Sequence, residues 1–336
     1  MKPELAAVAG RQRGVFRRAQ ARAARYDDAH IERLVRTGVW QRVRHGIYTA
    51  QPYDEALVRS DRRVHLLAAA ARMLAIGGDT VLSHGSAAIW HRLELLGEWP
   101  VEPTLTLAQP RGSRLTAHGY AVAPVPERHR VPRADVTTAA RTVVDIARAT
   151  GRASGLVTAE SALRAGLNRA ALAAVLSACR GWPGAPAALA IVDFADEFSE
   201  TALESLARLW CHDQGLPPPR QQRTVRTLDG RFVAEVDFVW DECRTVLETD
   251  GRKKYNDPQG LARGGVVWKE KLREDRLRDC GLEVVRGYWS DGDDGGAQLA
   301  GRLRRAFARG LRATGDREYT LGPAIRTPAR PLAGAG

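Results

Sequence analysis

The chain has 336 residues and a formal net charge of +12, with 51 Lys and Arg against 39 Asp and Glu. That length excludes a single small module and leaves room for two or three domains of roughly 100–200 residues. The basic balance points to phosphate backbones or an anionic membrane surface as partners, or to no more than the Arg-rich, Ala-rich usage of a GC-rich genome. Cys179, Cys211, Cys243 and Cys280 form no CxxC pair and no Cys/His cluster, which excludes a zinc module and points to reduced thiols. No apolar run approaches the roughly 20 residues that span a bilayer, and MKPELAAVAGRQRG has no apolar signal core. A cytoplasmic protein with no membrane partner is expected.

Residues 10–52 read as a winged helix-turn-helix. VFRRAQARAA is a predicted helix, DDAHIERLVRTG a second, capped by Asp27 or Asp28 and closed by Gly38, and WQRVRHGIYTA a pair of strands meeting near His45-Gly46. Arg33, Arg36, Arg42 and Arg44 would then fall on the last helix and wing, where such modules meet DNA phosphates. The competing reading is a small helical cap with a solvated basic face. Residues 60–185 read as a mixed α/β domain: an apolar helix RRVHLLAAAARMLAIG, a helix started by Ser83 or Ser86 in VLSHGSAAIWHRLELLG, short strands TLTLAQP and YAVAPVP, and helices in TTAARTVVDIARATG and ESALRAGLNRAALAAVLSAC. The Pro and Gly of GWPGAP place the main boundary near here or just after the following helix.

From residue 196 to 310 the pattern changes. SETALESLARLWCHDQG is an amphipathic helix, LPPPRQQ an extended connector, and TVRTLDGRFVAEVDFVW a hairpin turning at Asp229-Gly230. CRTVLETD is a third strand, KEKLREDRLRDCG a charged helix and LEVVRGYW a last strand. The segment 312–336, rich in Pro, Gly and Ala, is expected to be disordered.

This C-terminal region carries a set of acids suited to Mg²⁺-assisted phosphodiester cleavage, which needs hard oxygen ligands from different elements. Asp237 sits inside the apolar strand VDFVW, where an unpaired carboxylate is costly. Glu248 and Asp250, two apart, point to one face by the period of a strand, and Glu204 on the preceding helix is placed to reach the same sheet edge. Glu200 and Glu235 are similarly placed alternatives, and Asp250-Gly251 also reads as an ordinary turn. Lys254 follows as a cation for orienting water or neutralising phosphate, and Arg252, Lys253, Lys271 and Arg273 add a basic surface for a polyanion. Trp240, Trp268 and Trp289 read as packing residues rather than base-stacking platforms.

The run D-F-V-W at 237–240, E-T-D-G-R-K-K-Y at 248–255, E-K-L-R-E-D-R-L-R at 270–278 and V-V-R-G-Y-W at 284–289 resembles the domain related to very-short-patch-repair endonucleases, within the PD-(D/E)XK nuclease superfamily. The resemblance covers roughly 198–309. It implies a three-layer α/β/α domain in which Asp237 and Glu248 are the strand acids and Glu204 the helix acid, holding Mg²⁺ or Mn²⁺. It departs from the superfamily at Asp250, where a lysine is usual, and leaves Lys254 to supply that charge. R-T-G-V-W-Q-R-V-R-H-G-I-Y at 36–48, L-S-H-G-S-A-A at 82–88 and T-T-A-A-R-T-V-V-D at 137–145 resemble the AbiEi antitoxin of type IV toxin–antitoxin systems over roughly 10–150. That likeness implies an N-terminal winged helix and binding to its own promoter; it says nothing of a toxin encoded nearby, and a cognate toxin stands as an open partner. The combined expectation is a DNA-binding α/β protein whose C-terminal domain is a metal-dependent endonuclease with catalytic Asp237, Glu248, Asp250 and Lys254. The alternative is a non-catalytic transcriptional regulator or antitoxin.

Overall fold

A computed structural model describes residues 1–107, 120–122, 125–132, 134–250, 263–324 and 332. They divide into two units, one of Met1–Thr158 with Gly166–Asp193 and Pro331–Gly336, the other of Ala159–Ala165 with Phe194–Arg330.

The first unit opens with α1 (Pro3–Arg11), β1 (Val15–Arg17), α2 (Arg18–Ala23), α3 (Asp28–Arg36), β2 (Gln41–Arg44) and β3 (Ile47–Thr49). The three strands form an antiparallel sheet in the order β1-β3-β2. The helix expected from Val15 begins only at Arg18. Val15 packs with Ile47, Leu67 and Ala71, whereas its neighbour Phe16 packs with Leu5, Ile31 and Trp40. Adjacent residues buried on opposite sides demand a strand. The module also starts earlier than residue 10, because Leu5 and Ala9, four apart on α1, are part of that same core. Phe16 meets Trp40 edge-on at 4.8 Å, which ties β1 to the end of α3.

After this module comes α4 (Arg62–Ile76), capped by Asp61, whose carboxylate accepts the Val64 N–H at 2.9 Å. A second sheet follows, β4 (Thr80–Leu82), β5 (Leu105–Leu107) and β6 (Tyr120–Val122), with β4 antiparallel and β6 parallel to β5. Helices α5 (His84–His91), α6 (Ala139–Ala149), α7 (Arg152–Arg164), α8 (Arg169–Ala178) and α9 (Ala185–Phe194) complete the run. Helix α4 sends Leu67, Ala70 and Ala71 into the core beneath β1 and β3, and Ala69 into the core with Leu82 and Leu105. The winged module and the α/β segment therefore share one helix, and the break expected between 52 and 60 does not separate two cores.

The second unit contains α10 (Ala202–Asp213), β7 (Arg220–Thr227), β8 (Phe232–Trp240), β9 (Thr245–Thr249), α11 (Arg263–Asp279), β10 (Glu283–Gly287), α12 (Ala297–Arg312) and β11 (Tyr319–Ala324). The sheet order is β10-β9-β8-β7-β11, antiparallel except for the β9–β10 pair. Phe238, Trp240, Leu247 and Val285 pack against α10 and α12 through Ala207, Cys211, Leu299 and Leu303. Val225, Val239 and Val246 pack with Leu277 of α11 and with Cys280 and Leu282 just beyond it. The sheet is thus covered by helices on both sides. The expectation of disorder from 312 fails at 319–324. Tyr319 is buried in the α11-side core, its hydroxyl donates to Asp241 at 2.9 Å, and β11 pairs with β7 from Tyr319–Thr227 to Leu321–Val225. Pro323 is accommodated because β11 is an edge strand.

Among the described residues no helix is long and apolar enough to cross a membrane. The four cysteines are free thiols, buried or half-buried.

Candidate functional site

The N-terminal module presents a selected set of cations. Asp27 caps α3 by accepting the His30 N–H at 2.7 Å. Asp28 takes Arg18 Nε at 2.8 Å and also Arg22, whose hydrogen bonds hold its carboxyl down at about 2, and Glu32 takes the second arm of Arg18 at 3.1 Å. The α2 arginines are thereby neutralised by α3. Arg33 and Arg36 near the end of α3 and Arg42 on β2 are exposed, and no described residue pairs with them. Arg44 is exposed as well, 3.9 Å from Glu102. The strands turn at His45-Gly46, where Gly46 has φ of 70°, a conformation that favours glycine in a tight wing tip.

The sequence motifs of the middle segment serve packing. Ser83 precedes α5 but makes no side-chain cap; its hydroxyl lies 3.0 Å from His84 Nδ1. Ser86 sits inside the helix, its Oγ 2.8 Å from His65 Nε2 and accepting the Thr104 N–H at 2.8 Å. In R-T-V-V-D, Arg141 donates through Nε to Asp145 at 2.8 Å with both side chains 1% exposed, and Trp182 lies under the guanidinium groups of Arg141 and Arg148.

In the second unit, the register Phe238–Leu247, Val239–Val246, Trp240–Thr245, continued by one step, sets Asp237 opposite Glu248. Asp237 Oδ2 accepts from the Thr249 backbone N–H at 2.7 Å and the Thr249 hydroxyl at 2.8 Å. Burial pushes its carboxyl above the usual range against those two bonds. Glu204 is buried, and burial followed by the charge of Asp237 pushes it up to about 7. Glu248 is buried and pushed up to about 7 by desolvation, with Arg273 opposing and Asp237 adding to the rise. Glu235 is also raised, by burial and then by Glu200. The three predicted acids therefore act on one another electrostatically, Asp237 in the middle.

Each is also held by the protein. Glu204 curls back onto its own helix start: Oε2 accepts the Glu200 N–H at 2.8 Å and Oε1 the Thr201 hydroxyl at 2.9 Å, while the Thr201 hydroxyl accepts the Glu204 N–H. This is close to a capping box, spelled by Thr201-Ala-Leu-Glu204. Gln222 of β7 donates to Glu204 Oε2 at 2.8 Å from a backbone at φ 49°, between the ladder pairs Gln221–Phe238 and Arg223–Val236. Glu248 is gripped by Arg273 of α11, Nη2 to Oε1 at 3.0 Å and Nη1 to Oε2 at 2.8 Å, and the same guanidinium donates to the Glu235 carbonyl. Arg273, expected to add to a DNA-facing surface, is half-buried and paired with Glu248. Among the described residues no three acidic, His or Cys side chains meet as a metal-ligating group.

Asp250 lies just past β9, its N–H donating to the Gly287 carbonyl at 2.9 Å. Lys271 is exposed. Arg252, Lys253 and Lys254 lie outside the described residues, as does the side chain of Trp268. Trp240 packs on Phe307 at 5.1 Å and donates to the Pro217 carbonyl at 2.7 Å. Gln222 and the role of Arg273 had no sequence signal of their own.

Residues 3–51 match the domain family described as a transcriptional regulator, AbiEi antitoxin. Two uncharacterized proteins of Mycobacterium tuberculosis, from two strains, are each 30% identical to the chain over 174 residues, which is 52% of this chain and 62% of theirs. The chain spans less than two thirds of the length of these relatives.

Proposed function

We propose that the chain is a DNA-binding transcriptional regulator of the antitoxin type, engaging duplex DNA through α3 and the β2–β3 wing. The observation that carries this reading is the order α1-β1-α2-α3-β2-β3 with sheet order β1-β3-β2, in residues that match the antitoxin regulator domain, with Arg33, Arg36 and Arg42 exposed on helix and wing. In this arrangement α3 enters the major groove while the wing arginines meet phosphates. A cognate toxin is the second partner consistent with such a domain. The test is binding of the full chain to duplex DNA carrying its own promoter, followed by fluorescence anisotropy across a salt titration. Arg33→Ala, Arg36→Ala and Arg42→Ala should each weaken binding and flatten the salt slope by about one unit. Unchanged slopes in all three variants would remove the assignment.

A second reading, Mg²⁺- or Mn²⁺-dependent cleavage of DNA by the second unit, is favoured by the mutual repulsion of Glu204, Asp237 and Glu248. The reading rests on three hard oxygen donors carried by a helix and two strands, two of them buried and pushed up to about 7 by desolvation first, with the charge of Asp237 adding to both; among the described residues they do not meet as a three-donor group. When bound there, the ion would supply a low-pKa water and charge stabilisation at the phosphate. Glu204, Asp237 and Glu248 would hold it, Asp237 being positioned by Thr249 and Glu204 by Gln222 and its own helix start. Asp250 and Lys254 are assisting residues in this proposal, and Arg252, Lys253 and Lys271 the polyanion-facing cations. Nicking of supercoiled plasmid by the full chain with Mg²⁺ or Mn²⁺, lost in Asp237→Ala, is the expected result. No nicking on any duplex or single-stranded DNA would retire this second reading and leave the first intact.

A further inference from the structure

The connection between α5 and β5, residues 92–104, has two different neighbours in the first unit. On one side its Leu95, Leu96 and Pro100 join His84 of α5, Ile146 of α6 and Ser154 of α7 around a mainly apolar cavity of about 350 Å³. At roughly 30 Å³ for each water-sized atom, it has room for about a dozen non-hydrogen atoms, the size of a small organic molecule. Two polar groups of its wall have no hydrogen-bond partner among the described residues. His84 Nδ1 lies 3.0 Å from the Ser83 hydroxyl, which leaves Nε2 without one, and the Ser154 hydroxyl has none either. Burial, with Arg141 and Arg148 adding to it against Asp145, holds the His84 ring below its ordinary pKa, so it is neutral near pH 7. A neutral imidazole nitrogen donates or accepts according to its tautomer, and a ligand hydroxyl answers either. On its other side the connection reaches the wing. Glu102 accepts from Arg72 of α4, whose side chain is 2% exposed, and lies 3.9 Å from Arg44 of β2.

We propose that this cavity is an effector site, which takes a small apolar molecule carrying one hydroxyl group, of the phenol class, and that its occupancy weakens DNA binding through Glu102 and Arg44. The inference rests on the reading of the N-terminal module as a DNA-binding regulator. A ligand that fits the cavity stabilises the arrangement in which the connection holds Glu102 beside Arg44. A DNA phosphate has to draw Arg44 away from that carboxylate. Ligand and DNA therefore oppose each other, and each lowers the affinity of the other by the same factor.

The experiment uses the full chain with 2-naphthol as the probe and naphthalene as its match without the hydroxyl. Titration calorimetry should show binding of 2-naphthol, about tenfold weaker binding of naphthalene and of 2-naphthol to His84→Phe, and no binding to Ser154→Met, which fills the cavity. In anisotropy with the promoter duplex, saturating 2-naphthol should weaken binding by the parent about fivefold. It should have no effect on DNA binding by Glu102→Gln or Arg44→Ala, both of which should still take up the probe. No binding of 2-naphthol, or binding unchanged in His84→Phe and Ser154→Met, overturns the site. Naphthalene bound as tightly as 2-naphthol overturns the hydroxyl class. Binding in the cavity with unchanged promoter affinity, or an effect that persists in Arg44→Ala, overturns the link to the wing. If the parent binds no promoter DNA, the regulator reading fails by itself, and calorimetry still decides the cavity. If Ser154→Met or Glu102→Gln does not fold, His84→Phe and Arg44→Ala decide in their place.

Discussion

Glu204→Gln is expected to stabilise the second unit at alkaline pH and leave it unchanged in acid. The Glu204 carboxyl is raised from 4.5 to about 7 in the folded protein. Below 4.5 the group is protonated in folded and unfolded chains alike and nothing is lost. Between 4.5 and 7 the folded state binds the extra proton, so stability falls as pH rises, and above 7 the full cost of a buried anion is present. That cost is about 3 kcal/mol at about 1.4 kcal/mol per pKa unit. Glutamine mimics the protonated acid in shape: its carbonyl can accept from Glu200 N–H and Gln222, and its amide can donate to Thr201, reversing one bond. Allowing for that reversal, a net gain of about 2 kcal/mol at pH 8 is expected, shrinking to near zero at pH 4.5. The assay is urea unfolding in EDTA at both pH values, with the transition of the second unit identified by hydrogen exchange in β8 and β9. A variant destabilised equally at both pH values would mean that Glu204 is a helix cap and not a strained acid, and would refute the reasoning.

Asp27→Ala should cost the winged module about 1 kcal/mol through the lost cap on His30 N–H, with Asp27→Ser nearly neutral, measured by thermal unfolding. Asp145→Ala should cost about 3–5 kcal/mol, because it removes the carboxylate of an ion pair whose side chains are both 1% exposed, and chemical denaturation of the first unit would show it. Ending the chain after Asp316 removes β11 and Tyr319 from the core and uncovers the edge of β7; the melting temperature of the second unit should drop and its hydrogen exchange in β7 should rise.

The hairpin at 220–240 was legible because Asp229-Gly230 imposes a local turn, and Gly230 indeed takes φ of 87°. The alternation of VDFVW and VLET put Asp237 and Glu248 on strands before any pairing was known, and the observed register brings them opposite each other. Val15–Arg17 carries no legible strand signal, because three residues cannot separate a period of 2 from one of 3.6 when two are apolar; only the cores on both sides of β1 decide it. Residues 319–324 escaped because Gly322 and Pro323 read as loop, while the burial of Tyr319 is a tertiary fact. The capping signature Thr201-x-x-Glu204 was present in the sequence and explains why Glu204 has a structural partner as well as a catalytic candidacy. Arg273 is one of several arginines along a charged helix, and only its fork on Glu248 sets it apart. Gln222 depends on an unusual φ that no local motif encodes.

The most direct measurement is hydrogen exchange of the full chain with and without its promoter duplex. Binding through the winged module predicts that protection concentrates in α3 and the β2–β3 wing, residues 28–49. Protection absent there, or confined to the second unit, would contradict the assignment of DNA binding to the N-terminal module.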